Sequence, residues 1–412
     1  MKNDLSASEA AAILEISLAT LYSYVSRGLL SSKKSSDSHR KHYDRQEVMH
    51  LAARRGDAKH GGHLAASAMN WGIPILETRI SHIVDGKLLY RGYDASDLAQ
   101  HDTLEAVACL LWDDSKQDYF ASASNALPTS IVDQAFALLA MTNSASILQR
   151  AMALTSILCA AQLRQHQTIK ANAGCVEGGE DFQIAPHLLR QLTAIFLEIP
   201  LSDCPIHQQI AQAWHCDAMQ TELIRHILVL LADHELNAST FAVRCVASTG
   251  ADLAAVLCTG LAALSGHLHG AGSANAKLML TEALKTPSLT DFVQHYFVNL
   301  NPALYGFGHP LYPDGDPRAA FLLHRLTELA KADQRLKPAL EVCAATSKIL
   351  NTPPNIDMLI ACMETSYAWP DSAGIMLFAI ARCTGWIAHA HEQKHTGTMI
   401  RPRARYVGKY RF

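Results

Sequence analysis

The sequence predicts an all-α protein that carries one short β-hairpin and, ahead of it, a small N-terminal domain of different character. Apolar residues recur at helical spacing from Asp94 onward, as in "TELIRHILVLLADHEL" and "IMLFAIARCTGWIAHAHEQ". Two short alternating runs flank Asp85 and Gly86, a dipeptide typical of a hairpin turn. The first sixty residues instead combine short capped helical segments with a basic stretch.

Composition favours a folded, cytoplasmic chain. Hydrophobic residues make up 49% of the 412 residues and charged residues 18%, so the chain can bury a sizeable core. No apolar run reaches the length of about 18 residues that a membrane span needs. The first residues, "MKNDLSASEAA", lack the apolar segment of a signal peptide.

Cysteine and histidine patterns argue against disulfides and metal sites. None of the ten cysteines forms a C-x-x-C pair, which favours reduced thiols in the core. His-x-His occurs at His267/His269 and His389/His391 without a third ligand at a convincing spacing, so we expect no metal. We expect His389 and His391 near helix ends or on the surface.

Three helix starts are visible in the first sixty residues. Ser6 and Glu9 form a capping box, Ser17 can cap a second helix that stops at Gly28, and Asp44-x-x-Glu47 opens a third helix. Helix, turn, helix, basic loop and helix in this order predict a winged helix-turn-helix domain over residues 1–56, followed by a linker over 57–74.

This N-terminal domain resembles the head of MerR-like regulators, with "SSKKSSDSHRK" as its wing. Residues 27–59 hold nine Lys/Arg against four acids in a chain whose net charge is −3, a balance that suits phosphate contacts. The alternative is a three-helix domain used for packing or dimer contacts, with a solvated basic face. The candidate DNA-binding residues are Thr20, Tyr22, Arg27, Lys33, Lys34 and Arg40.

Polar residues interrupt the helical pattern of the body at five places: "DHELNAST", "SGHLHGAGSANA", "GFGHPLYPDGDPRA", "PPNIDM" and "ARCTGWIAHAHEQ…IRPRARYVG". A helix that begins near Ala274 should point its positive end at His269, which favours a neutral imidazole. Glycines and prolines around His309 and Arg318 predict a rigid loop that preorganises donors. Each place alone also fits a structural role, such as a core histidine or a helix cap.

These blocks, with "TRISHIVDGKLLYRGYD", resemble the successive signatures of the citrate synthase family over roughly residues 75–408. The resemblance implies a helical homodimer with a large domain over 75–265 and 371–412 and a small domain over 266–370. It also implies that oxaloacetate and acyl-CoA are substrates and that no cofactor or metal is required.

The resemblance assigns roles by position in the matching blocks. His269 would hold the thioester oxygen of acetyl-CoA while Asp357 removes a methyl proton, and His309 would polarise the ketone of oxaloacetate. The residues that would bind oxaloacetate are His234, Arg318, Arg382 and, from the partner subunit, Arg401.

The sequence departs from the family in three stretches. Pro310 and Pro313 stand where basic residues commonly meet the phosphates of CoA, which leaves the use of CoA open. "MLIACM" after Asp357 and "GAGSANA" after His269 also differ from the usual text. Residues 165–186 match no block, and we expect them to be rich in loops.

Two classes of function fit these features. The first is an acyltransferase that makes citrate from acetyl-CoA and oxaloacetate, or 2-methylcitrate from propionyl-CoA. One methylene changes binding by only about 1–3 kcal/mol, so the sequence does not separate the two substrates. The second is a DNA-binding metabolite sensor built on a citrate synthase-like body with weakened catalysis.

Overall fold

The computed structural model describes residues 4–14, 16–26, 30–35, 38–45, 47–48, 51, 76–113, 117–121, 137, 145–173 and 180–403. The chain divides into two compact units. One runs to Glu77 and includes Pro402–Phe412, and the other, which we call the body, is Thr78–Arg401.

The N-terminal unit combines two short helices with a three-stranded antiparallel sheet in the order β1-β3-β2. Its elements are β1 (Asp4–Ser6), α1 (Ala7–Ile13), α2 (Leu18–Ser26), β2 (Lys33–Ser35) and β3 (Ser38–Asp44). The helices pack against the sheet through a small apolar core that includes Leu5, Leu21 and Tyr43.

The predicted helix caps of this unit are present. The Ser6 hydroxyl accepts from the Glu9 N–H and the Glu9 carboxylate accepts from the Ser6 N–H, so the capping box is complete. The Ser17 hydroxyl accepts from the N–H of Thr20 at 3.2 Å. The Asp44 carboxylate accepts from the N–H of Glu47 at 3.1 Å, but most of the predicted third helix and the whole linker lie outside the described residues.

The body opens with the predicted hairpin. Strands β4 (Ser81–Val84) and β5 (Lys87–Tyr90) pair antiparallel, and the short β6 (Tyr93–Asp94) adds a third strand. Asp85 and Gly86 have φ of 50° and 73°, the left-handed values that a two-residue hairpin turn requires.

The other regular elements of the described body are helices. The helices are α3 (Ala95–His101), α4 (Leu104–Trp112), α5 (Ile147–Ala173), α6 (Glu180–Leu197), α7 (Ile206–Ala213), α8 (Ala218–Leu231), α9 (Ala238–Ala247), α10 (Leu253–Leu264), α11 (Gly272–Ala283), α12 (Leu289–Tyr296), α13 (Pro317–Leu329), α14 (Lys337–Leu350), α15 (Ile356–Tyr367) and α16 (Ala373–Thr396), with 3₁₀ turns at Pro302–Tyr305 and Gln334–Leu336.

Two expectations for the body were wrong. Residues 165–173 and 180–186 belong to α5 and α6, and not to loops. Pro186 is accommodated inside α6, and residues 174–179 of the same stretch lie outside the described residues. His389 lies within α16 and has no exposed surface, although we expected it near a helix end or on the surface.

Helix α16 is the central helix of the body. It alone among the described helices is long and apolar enough to cross a membrane, but 89% of its most apolar window is buried inside the protein. It packs against α8, α9, α10 and α4. The helix is therefore a core helix, and it presents Arg382 from a fixed position.

Candidate active site

The loop that carries His309 and the start of the helix that carries Asp357 are bonded to each other. The amide of Asn355 donates to the carbonyl of Gly308 at 3.0 Å, and its N–H donates to the carbonyl of Gly306 at 2.8 Å. Gly308 N–H in turn donates to the carbonyl of Pro353 at 2.8 Å. These bonds place His309 and Asp357 at one site from positions almost fifty residues apart.

Glycine is required where this loop turns. Gly306 has φ of 93°, and a Cβ there would lie 2.7 Å from the Cβ of Met358. A side chain would strain the backbone and collide with α15. The rigidity predicted from the glycines of "GFGHP" therefore comes from tight packing on the helix that carries Asp357.

Asp357 lies in the first turn of α15 against the N-terminal residue of α11. A Cβ on Gly272 would lie 2.8 Å from both carboxylate oxygens of Asp357, so only glycine allows this approach. Burial raises the pKa of Asp357 to about 6, against the opposing charges of Arg318 and Arg382. The carboxylate is thus a stronger base than an ordinary aspartate and is still mostly ionised at neutral pH.

His269 is held through one ring nitrogen. Its Nε2 lies 3.0 Å from the Oγ of Ser239, which also accepts from the Nε1–H of Trp386 at 3.2 Å. Burial, followed by the charge of Arg382, lowers the pKa of His269 to about 4. The imidazole is neutral at physiological pH, as expected, although burial rather than a helix end is the main cause.

His309 has a defined tautomer. Its Nδ1 accepts the N–H of Leu311 at 3.2 Å, so in the neutral ring the proton is on Nε2. Burial and the charge of Arg318 lower the pKa of His309 to about 4. His309 is therefore a neutral hydrogen-bond donor.

His234 lies beside His309, with ring centroids 5.2 Å apart. Its Nε2 is 2.9 Å from the hydroxyl of Tyr312. Burial and then the charge of Arg318 lower its pKa well below the usual range. The preceding residue, Asp233, is fully buried and accepts from Ser81 and from His389 Nε2, 3.3 Å away, which anchors this segment to α16.

Two buried arginines supply positive charge. Arg318 donates through Nε and Nη2 to the two oxygens of Asp316, each at 2.9 Å, which leaves Nη1 for another acceptor. Burial acts to lower the pKa of Arg318, but the Asp316 carboxylate and the nearby Tyr312 together raise it above its usual range. Arg382 donates through Nε to the carbonyl of Leu231 at 2.9 Å, which leaves both Nη groups. The two Nη groups of Arg382 can donate to both oxygens of one carboxylate, and Nη1 of Arg318 can donate to another.

None of the contacts described above for the other site residues involves Arg401. It is exposed in the segment after α16, at the end of the body. The structure therefore brings together six of the seven residues predicted for the body site.

The candidate DNA-binding residues lie in the N-terminal unit. Thr20 and Tyr22 are on α2, Lys33 and Lys34 on β2, and Arg40 on β3. Tyr22 is 47% exposed, and the ammonium of Lys41 lies 5.9 Å from its ring centroid. Arg27 lies outside the described residues.

Sequence reasoning missed three residues of the body site: Ser239, Tyr312 and Asp316. Ser239 and Asp316 are positioned by helix starts, since Asn237 caps α9 and Asp316 caps α13. A sequence signal existed for both, because Asn-x-Ser and Asp-Pro-Arg are recognisable helix-start patterns. Nothing in the sequence marks Tyr312, whose contact with His234 joins positions far apart in the chain.

Comparisons with known proteins agree on one family. The family model described as "Citrate synthase, C-terminal domain" matches residues 68–403. Citrate synthase 2 of Bacillus subtilis is 28% identical over 375 residues, which cover 82% of this chain and 94% of that protein. The 2-methylcitrate synthase of Shewanella oneidensis is 30% identical over 363 residues, which cover 81% of this chain and 92% of that protein.

Solved structures share the fold of the body. The citrate synthase of Thermotoga maritima superposes with a TM-score of 0.63 at 25% identity, covering 83% of this chain and 95% of that one. The citrate synthase of Thermoplasma acidophilum, solved with carboxymethyl coenzyme A and oxaloacetate, gives a TM-score of 0.66 at 22% identity, covering 82% and 95%. The second likeness concerns the fold alone.

Proposed function

Because this chain belongs to the citrate synthase family, we propose that it condenses acetyl-CoA with oxaloacetate to give citrate and CoA. The family binds oxaloacetate and acyl-CoA and uses acetyl-CoA as a substrate without a separate cofactor. One observation carries the proposal: two neutral histidines, a carboxylate of raised pKa and two buried arginines converge in the body.

Asp357 is the base of the first step. It removes a proton from the methyl group of acetyl-CoA, and the developing negative charge passes to the thioester oxygen. His269 stabilises that oxygen by donating a hydrogen bond from a neutral imidazole. The product is an enol or enolate, and no positive charge remains on the histidine. The pKa of Asp357, about 6, keeps this carboxylate both ionised and basic at neutral pH.

The hydroxyl of Ser239 sets the tautomer of His269. Trp386 donates to the Ser239 oxygen, so the single Ser239 proton goes either to Asn237 Oδ1, 2.8 Å away, or to His269 Nε2. Donation to His269 places the imidazole proton on Nδ1, where it can reach the thioester oxygen. Asn237 Oδ1 then keeps its other donor, the N–H of Thr240 at 3.0 Å.

The second step joins the two substrates. His309 donates from Nε2 to the ketone oxygen of oxaloacetate, the enol carbon attacks the ketone carbon, and the resulting citryl thioester is hydrolysed by water to citrate and CoA. Arg318 and Arg382 bind the carboxylates, and His234 donates to the same substrate. In a cytoplasmic homodimer the exposed Arg401 of each subunit completes the site of the other.

The test measures the loss of thioester absorbance after the purified protein is mixed with oxaloacetate and either acetyl-CoA or propionyl-CoA. Faster turnover with propionyl-CoA would make 2-methylcitrate the product. Absorbance is preferred to a thiol reagent because the chain carries ten cysteines. The Asp357→Asn variant is the control, since it should bind oxaloacetate and show little turnover.

A second candidate function is DNA binding by the N-terminal unit, in a protein that senses a carboxylate or acyl-CoA through the body. The observation that favours it is the basic hairpin of β2 and β3, with Lys33 and Lys34 on one strand and Arg40 and Lys41 on the other, beside the exposed Tyr22 of α2. Such a hairpin next to a helix suits contact with DNA phosphates.

Gel-shift and heparin retention with the full chain test this candidate against DNA from upstream of its own gene. Replacing Lys33 and Lys34 by Ala should weaken binding and reduce the salt slope by about 2, because two phosphate contacts are lost. The matched control replaces Lys285 and Lys331 of the body and should bind as the parent does. Absence of DNA binding by the parent at low salt would exclude this function.

A further inference from the structure

The loop after His309 holds a tyrosine among the residues proposed to bind oxaloacetate. Tyr312 is 2% exposed, and its ring centroid lies 5.0 Å from that of His309 and 5.6 Å from that of His234. The guanidinium carbon of Arg318 lies 5.8 Å from the same centroid. Tyr312 is thus surrounded by three groups with proposed roles at the 2-oxo acid.

The backbone of Tyr312 is fixed on both sides. Its N–H donates to the carbonyl of His309 at 3.0 Å, and its carbonyl accepts the N–H of Gly315 at 3.1 Å. The ring is therefore held in place by a tight turn as well as by packing. Its hydroxyl is presented to His234 Nε2 at 2.9 Å.

Both partners of this hydrogen bond are neutral. Burial is the main cause that raises the pKa of Tyr312 and lowers the pKa of His234. In the tautomer of His234 that carries its proton on Nε2, the tyrosine hydroxyl is the acceptor of their bond and its own proton is available for another oxygen. A carboxylate that replaces the bond between His234 Nε2 and the Tyr312 hydroxyl can accept both protons.

We propose that Tyr312 is a further substrate-binding residue. Its hydroxyl donates to the carboxylate of the 2-oxo acid that His234 and Arg318 also bind. The inference rests on the proposed function. In the free protein the hydroxyl satisfies His234 Nε2, and on binding both groups exchange their mutual bond for bonds to the carboxylate. The site can therefore bind a dianion, and neither of these two buried polar groups lacks a hydrogen-bond partner before or after binding.

The test is the affinity of the full chain for oxaloacetate, measured by calorimetry, in Tyr312→Phe and in a control, Tyr305→Phe. The first variant keeps the packed ring and removes only the hydroxyl. Tyr305 belongs to the same stretch but packs among Tyr296 and Phe297, with centroids at 5.4 and 5.9 Å, away from His234. We expect about tenfold weaker oxaloacetate binding in Tyr312→Phe, an unchanged KM for the acyl-CoA, and parental affinity in the control.

Each other outcome has a defined meaning. Parental oxaloacetate affinity in Tyr312→Phe would overturn the inference while leaving the proposed function intact. Equal weakening in Tyr305→Phe would also overturn it, because the effect would then belong to the whole loop. If the parent protein neither binds nor consumes oxaloacetate, the proposed function itself fails, and this inference fails with it.

Discussion

Replacing Asp357 by Asn should stabilise the protein at neutral and alkaline pH while it removes turnover. The carboxylate is packed against Gly272, and burial raises its pKa from 3.8 to about 6. An ionised group in this place opposes folding. Asparagine has nearly the same shape and no charge, so it relieves that cost and cannot act as the base.

The pKa shift fixes the size and the sign of the effect. The rise of the Asp357 pKa from 3.8 to about 6 corresponds to about 3 kcal/mol, which is an upper limit because the side chain is only partly buried. Since the folded pKa is raised, Asp357 favours the native state only while protonated. That contribution is complete below about pH 4 and is lost as the pH rises through 6.

Unfolding of Asp357→Asn and parent should therefore be compared at pH 8 and pH 5. At pH 8 the variant should gain up to about 3 kcal/mol, or about 4 °C in melting temperature for a unit of this size. At pH 5 the gain should fall to about half. An equal gain at both pH values, or a loss at pH 8, would refute the assignment of a raised pKa to this carboxylate.

Two further variants test how the site is positioned. Gly272→Ala should reduce kcat by more than tenfold and leave oxaloacetate affinity near the parental value, because the new methyl group would displace Asp357; unchanged kcat would show that the close packing is not needed. Ser239→Ala should lower kcat by about tenfold with little change in the KM for oxaloacetate, since His269 loses the partner that sets its tautomer. A change in that KM alone would place Ser239 at the other substrate.

Local patterns in the sequence predicted much of the fold. The Asp85-Gly86 hairpin and the caps at Ser6 and Ser17 are present because each depends on residues only a few positions apart. The loop prediction for residues 165–186 was wrong for residues 165–173, which continue α5 although the stretch matches no recognisable block.

The sequence predicted which residue types form the candidate site, but it did not predict all the contacts between them. His269, His309 and Asp357 could be predicted because each lies in a specific motif that interrupts an apolar helical stretch. Tyr312 was not found, because its contact with His234 depends on how two distant segments fold together. The burial of His389 against Asp233 was missed for the same reason.

Thioester consumption is the measurement that tests the central proposal most directly. The purified protein should remove thioester absorbance only when oxaloacetate is present with acetyl-CoA or propionyl-CoA, and Asp357→Asn should abolish most of that activity. No consumption with either thioester, while oxaloacetate still raises the melting temperature, would contradict the proposed catalysis. The body would then be a binding domain, and the DNA-binding experiments on Lys33 and Lys34 would decide the function.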